Sequence, residues 1–337
     1  MVEERLLNLE EEQARELLLE YKESTGKTQT DIAKALGVSD PQVSQFLNGT
    51  YKAPHKIIPK IYELVNINIK KEIAPKEPAF KMTTVSKTVM DLITYCHVQG
   101  KIGVIYGDAG IGKTMAIKEY KKLNSGAVVI TISPCFSNIT GVNELIADQL
   151  KIKEKTSRRV YSEAIAKLKG SNKVLIVDEA QHLTTKVINH LRCLSDESGI
   201  GIAFIGNEEI YLKMKGSGRA SYAQLYSRIG KNKHVLTGDI TRKDIEAVFD
   251  EDGCLEDDAI EILLKISQTN YGLRGAVNVF VNTAAVFKEV TAQSLARMAR
   301  EMNISWEGLK SSLFKRRLKR WNWKDIIIPK KLKYKNF

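Results

Sequence analysis

The chain has 337 residues, with 52 Lys and Arg against 40 Asp and Glu and a formal net charge of +12, a length that suggests two or three domains. Its four cysteines (Cys96, Cys135, Cys193, Cys254) lie far apart and its five histidines are scattered, so no metal or redox spacing is present and reduced thiols are expected. The N-terminus is acidic, unlike a signal peptide, and no apolar run approaches the roughly 18 residues of a membrane span, so the expectation is a cytoplasmic protein with no membrane partner.

Residues 1–70 read as short helices. Glu11 to Glu23 is periodic, with Ala14, Leu17 and Leu18 on one stripe. Thr28 is placed to cap a following helix, with Asp31 at the capping-box position and Ile32, Ala33 and Leu36 on its apolar face. Gly37 supplies the turn that ends it. Ser39 and Gln42 form a second capping box, and Pro41 sits in the first turn, where proline is tolerated. Val43, Phe46 and Leu47 then face a core and leave Gln42, Ser44, Gln45 and Asn48 outward. Two short helices about a glycine turn make a helix-turn-helix layout. The segment resembles the phage-repressor type of helix-turn-helix domain over about residues 12–66. Outward amides suit adenine edges and hydroxyls suit phosphates, so Gln42, Ser44 and Gln45 are candidate DNA contacts. The alternative is a purely structural helical hairpin.

Residues 71–82 hold two prolines, many charges and no period, and read as a linker. From 83 to 237 strand and helix patterns alternate. Ile102 to Tyr106, Ala127 to Ile132, Lys173 to Val177 and Ile200 to Ile205 suit buried parallel strands, with Lys233 to Leu236 as a fifth. Helical stretches lie near 141–150, 158–169 and 184–196. The fold class is therefore α/β, a doubly wound parallel sheet that binds its ligand at the strands' C-terminal edge. Residues 238–305 read as a helical lid, and 306–337 as a basic tail. From Lys310 to Phe337 there are eleven Lys and Arg and one acid, Asp325, which suits an anionic polymer or simply a solvated arm.

The chemistry sits in Gly107-Asp108-Ala109-Gly110-Ile111-Gly112-Lys113-Thr114, a complete phosphate-cradling loop between a strand pattern and a helix pattern. Its backbone N–H groups and the helix N-terminus suit the phosphates of ATP. Lys113 would reach the β and γ phosphates, and Thr114 would hold Mg²⁺ through its hydroxyl. Downstream, Val174-Leu175-Ile176-Val177 ends in Asp178-Glu179. Asp178 is the second candidate for Mg²⁺, and Glu179 the base for an attacking water. Asn207 follows the fourth strand pattern, where a polar group would contact the γ phosphate or the water. Arg228, at a helix end before the fifth strand, and Arg274, at the start of a lid helix, are candidates for stabilising phosphoryl charge.

These five elements together resemble an AAA+ ATPase over about residues 83–300. A repressor-like helix-turn-helix ahead of a small AAA+ module is similar, more narrowly, to the phage Mu type of transposon target-selection ATPases. The resemblance implies that Lys113, Glu179, Asn207 and Arg228 act in hydrolysis, with Arg228 reaching a neighbouring subunit's ATP and Arg219 competing for that role. It implies that Arg274 contacts its own subunit's nucleotide. It also implies a homo-oligomer, ring or helical filament, that forms on duplex DNA in a bacterial host cell and delivers it to a transposase. Lys151, Lys153, Lys155, Arg158 and Arg159, in a polar stretch between two helices, are candidates for a DNA groove. A helix-turn-helix regulator with an ATP-sensing module is the alternative, and Glu179 speaks against it because a sensor needs no base. A secretion-type ATPase sharing the core is a further one, which would usually bring a membrane segment.

Overall fold

The computed structural model describes residues 2–215, 227–287 and 289–305, with side chains from residue 9 onward. The chain divides into two units, Met1–Lys76 and Glu77–Phe337.

The first unit is all helical: α1 (Val2–Thr25), α2 (Gln29–Leu36), α3 (Asp40–Leu47) and α4 (Ile58–Ile73). The Thr28 hydroxyl accepts the Asp31 N–H at 3.2 Å, and the Asp31 carboxylate accepts the Thr28 N–H at 3.2 Å. That reciprocal pair starts α2. Gly37, in the left-handed region at φ 64°, ends it. Ile32, Leu36, Val43 and Phe46 bury against Leu18, Ile57 and Ile61 to form this unit's own core. Helix α4 continues to Ile73, through the first three residues of the expected linker. Lys70, Lys71 and Glu72 are good helix formers, and the helix stops at Ala74 because Pro75 disfavours helical backbone in the residue before it.

The second unit opens with α5 (Thr84–Gln99) and builds a five-stranded sheet. The strands are β1 (Ile102–Gly107), β2 (Ala127–Thr131), β3 (Val174–Asp178), β4 (Gly201–Gly206) and β5 (Ile229–Val235). All pairings are parallel, in the order β2-β3-β4-β1-β5. Crossovers run through α6 (Lys113–Leu123), α7 (Ile139–Leu150), α8 (Ser157–Leu168), α9 (Thr185–Ser198) and α10 (Glu208–Lys215). Strand alternation splits the core by face. Ile105, Ile176 and Ala203 meet α5, α6 and the C-terminal helices. Val104, Val177, Ile202 and Phe204 meet α7, α8, α9 and α10.

Strand β5 starts four residues earlier than expected. Its residues Asn232, Lys233 and His234 are exposed and Lys231 is half-buried because it lies at the sheet edge, so it lacks the apolar run of a buried strand. The lid comprises α11 (Arg242–Phe249), α12 (Asp257–Ser267), α13 (Gly272–Val286) and α14 (Ala292–Glu301). Ile245, Leu263, Ile266, Val279 and Leu295 join its helices to the sheet's first core. Arg219 and the basic tail fall outside the described residues.

Candidate active site

The phosphate loop leaves β1, an inner strand, and enters α6. At Gly107 the backbone adopts φ 149°, and a Cβ there would lie 1.7 Å from the Val235 carbonyl oxygen of β5. Only glycine lets the loop pass so close to its neighbour. The Asp108 N–H donates to the same carbonyl at 3.1 Å, and its carboxylate accepts the Thr237 N–H at 2.7 Å. The loop is thus anchored on the β5 side before it curls back to α6.

The Lys113 ammonium turns into the loop and donates to the carbonyls of Gly107 at 3.0 Å and Asp108 at 2.5 Å. Burial lowers its pKa, opposed by the carboxylates of Glu179, Asp178 and Asp108. The Thr114 hydroxyl donates to Asp178 Oδ2 at 2.9 Å, which joins the start of α6 to the end of β3. Asp178 is 3% exposed. Burial raises its pKa, against the lowering effect of Thr114 and of the Glu179 N–H, which donates to Asp178 Oδ1 at 3.0 Å.

Glu179 is half-buried and sits in the left-handed region at φ 54°, unusual for a residue with a side chain. Such strain concentrates at functional sites. Gln181, two residues on in a short helical turn, donates its amide N–H to Glu179 Oε2. Its amide oxygen accepts the Asn207 N–H at 3.2 Å. Asn207 Oδ1 in turn accepts the Glu209 N–H at 2.9 Å and caps α10. Sequence reasoning singled out Glu179 and Asn207 but passed over Gln181. The signal available was a long amide two residues past an acid at a strand end.

The lid closes on the loop from the other side. The Arg274 N–H donates to the Gly110 carbonyl at 2.9 Å. Arg274 is exposed at the first turn of α13. Thr114, Asp178, Glu179 and Asn207 are therefore joined by a chain of hydrogen bonds, with Lys113 and Arg274 bonded to the phosphate loop beside them, around the sheet's C-terminal edge, where doubly wound folds bind ligands.

A family model described as an AAA domain matches residues 96–214. The Mu-like prophage FluMu DNA transposition protein B of Haemophilus influenzae is 33% identical over 257 residues, covering 73% of this chain and 88% of that protein. The chain belongs to the Mu B family of transposition proteins. The ATP-dependent target DNA activator B of Escherichia phage Mu is 29% identical over 262 residues, covering 76% of this chain and 82% of the relative. Among solved structures, Cdc6p from Pyrobaculum aerophilum superposes with a TM-score of 0.50 at 12% identity, over 69% of this chain and 70% of that one. That likeness concerns the AAA+ fold alone.

In this Mu B family member the remaining candidates are less tightly grouped. Arg228 lies in a turn directly before β5, 58% exposed, with its guanidinium 3.7 Å from Asp196 of α9. No hydrogen bond or ion pair joins it to the phosphate loop among the described residues. Lys151, Lys153 and Lys155 are exposed after α7. Arg158 and Arg159 lie in the first turn of α8, within the helical stretch expected from 158, with Thr156 at the N-cap position and Val160 packing inward. Arg159 also faces Glu154 at 3.7 Å.

Gln42 is placed differently from the outward side chain expected of it. Its Oε1 accepts the Ser39 N–H at 2.9 Å and its amide donates to the Tyr51 hydroxyl at 3.2 Å. One end of the side chain serves the start of α3 and the other bonds Tyr51 beyond its end, so the amide is engaged within the unit and not left free on the outer face. Gln45 is exposed and Ser44 half-exposed on α3.

Proposed function

We propose that this chain binds and hydrolyses ATP to assemble on duplex DNA without strong sequence preference, and that it presents that DNA to a transposase. Hydrolysis then clears it from the DNA. The observation carrying the reading is the meeting of Lys113, Thr114, Asp178 and Glu179 at one sheet edge, in a chain related to a phage protein described as an ATP-dependent target DNA activator.

The donor set fits magnesium. Thr114 and Asp178 offer a hydroxyl and a carboxylate 2.9 Å apart, both hard oxygen ligands, and the carboxylate is buried where a cation would compensate it. Bound there with the nucleotide, the ion supplies charge neutralisation for the transferred phosphoryl group. The chain's own residues do the rest. Backbone N–H groups of the loop and the α6 N-terminus hold phosphate oxygens. Lys113 exchanges its two carbonyl partners for phosphate. Glu179 takes the proton of the attacking water, and Asn207 orients that water from the next strand. Arg274 brings positive charge from the lid, and Arg228, exposed on the β5 side, acts on the nucleotide of a neighbouring copy.

Affinity for DNA in this reading comes from phosphate contacts by Lys151, Lys153, Lys155, Arg158 and Arg159, with Ser44 and Gln45 of the N-terminal unit as a second, weaker contact. The test is electron microscopy of the full chain with non-specific duplex DNA, with and without ATP, using Glu179→Gln to slow turnover. Long regular filaments only with nucleotide, persisting in the variant, are expected. A nucleotide-independent footprint on one palindromic site would favour a transcriptional regulator instead.

A further inference from the structure

Strands β3 and β4 are neighbours, and each is followed directly by a residue of the hydrolytic site, Glu179 and Asn207. Nothing in sheet geometry alone fixes those two loop residues to one another. Gln181 does so with a single side chain. Its amide N–H holds the Glu179 carboxylate while its amide oxygen holds the Asn207 N–H. Its backbone carbonyl accepts the Lys213 ammonium of α10, so the turn carrying it is pinned from the side that Asn207 caps. Space for the amide is reserved: a Cβ on Gly206 would lie 2.4 Å from Gln181 Oε1.

We infer that Gln181 is a positioning residue for ATP hydrolysis, locking the base Glu179 to the sensor Asn207. The inference rests on the ATPase reading above and adds a part to it. A carboxylate has several lone-pair directions, and a base acts only when one of them meets the water in line. The Gln181 donor occupies Oε2 and leaves Oε1 to accept the water's proton. A neutral amide can do this without opposing the negative charge at Glu179. A carboxylate at the same place could accept from Asn207 but would donate nothing to Glu179 and would repel it. The donor half and the acceptor half of the bridge can therefore be separated by substitution.

The experiment compares the full-length wild type with Gln181→Met, Gln181→Glu and Glu179→Gln in the presence of duplex DNA. Three quantities are read: kcat and KM for ATP, affinity for ATPγS, and affinity for ADP with aluminium fluoride, which mimics the phosphoryl group in flight. Both Gln181 variants should hold ATPγS within about twofold of wild type, and lose about tenfold or more in kcat and in the fluoride complex. A scaffolding role would weaken both ligands alike, and that outcome overturns the inference. So would hydrolysis within twofold of wild type in Gln181→Glu, or a rise in either variant, which would make the contact a brake. Glu179→Gln inactive beside active Gln181 variants would remove Gln181 alone. A wild-type chain that hydrolyses no ATP would remove the ATPase reading and this inference with it.

Discussion

Asp178 shows at the level of one side chain what the site demands of its sequence. It is buried to 3% exposure beside Glu179, and burial lifts its pKa above the usual carboxylate value of 3.8. A raised carboxylate pKa means that the folded chain keeps a proton where the unfolded chain has lost it. The penalty is absent below 3.8, where both states are protonated, and fully in force above the raised folded value. Asp178→Asn removes it while still accepting the Glu179 N–H. We expect the variant, without nucleotide or metal, to have a higher thermal midpoint than wild type near neutral pH and a flatter pH dependence in the acid range. Magnesium-dependent turnover should be lost. Thermal melts across pH in chelator test this, and equal midpoints at every pH would show that the buried charge is already compensated. Asp178 was legible in the sequence because four apolar strand residues point straight to it. Gln181 was not, since its bonds depend on the left-handed turn at Glu179, which no neighbouring glycine announces.

At the level of elements, α13 meets the phosphate loop through backbone, and under the proposed function this contact is the joint through which the lid would sense nucleotide. Gly272 opens α13 at φ 62°, and a Cβ there would lie 2.8 Å from the Ala109 carbonyl oxygen and 2.9 Å from the Gly110 carbonyl oxygen. Those are backbone atoms that cannot rotate away, so Gly272→Ala must lift α13 or distort the loop. Strain of this kind costs about 1–3 kcal/mol, so ATPγS affinity should fall by roughly fivefold to a hundredfold. Calorimetric titration reads the loss directly, and an unchanged affinity would mean that the lid does not close on the nucleotide through this joint. The lid's helices were legible because apolar residues recur at helical spacing, as in Ile260, Leu263 and Leu264. The start of β5 was not, because an edge strand exposing lysines carries no apolar alternation. The role of Gln42 was half legible. The capping box was visible in sequence, while its second bond, to Tyr51, needed the fold to bring that ring across.

At the level of the whole chain, charge and core are unevenly distributed. The N-terminal unit has an apolar core of its own, and the second unit's two sheet-face cores contain no residue of the first. Deleting residues 1–76 should therefore leave a folded protein that hydrolyses ATP and still assembles on DNA with nucleotide, at reduced affinity. The positive charge meanwhile gathers in the last residues, eleven Lys and Arg against one acid from Lys310 to Phe337. If these bind phosphates, log affinity falls with log salt by about 0.9 for each phosphate neutralised. Deleting Leu313 to Phe337 should flatten that slope without altering sequence preference, because phosphate contacts carry no base information. Binding of the three proteins to random duplex DNA over a range of salt separates the contributions. Loss of all DNA binding on removing residues 1–76, with the remaining unit still oligomerising on nucleotide, would place recognition in the helical unit. The ATPase would then act as a switch on a sequence-reading regulator, and target capture by the second unit would be wrong.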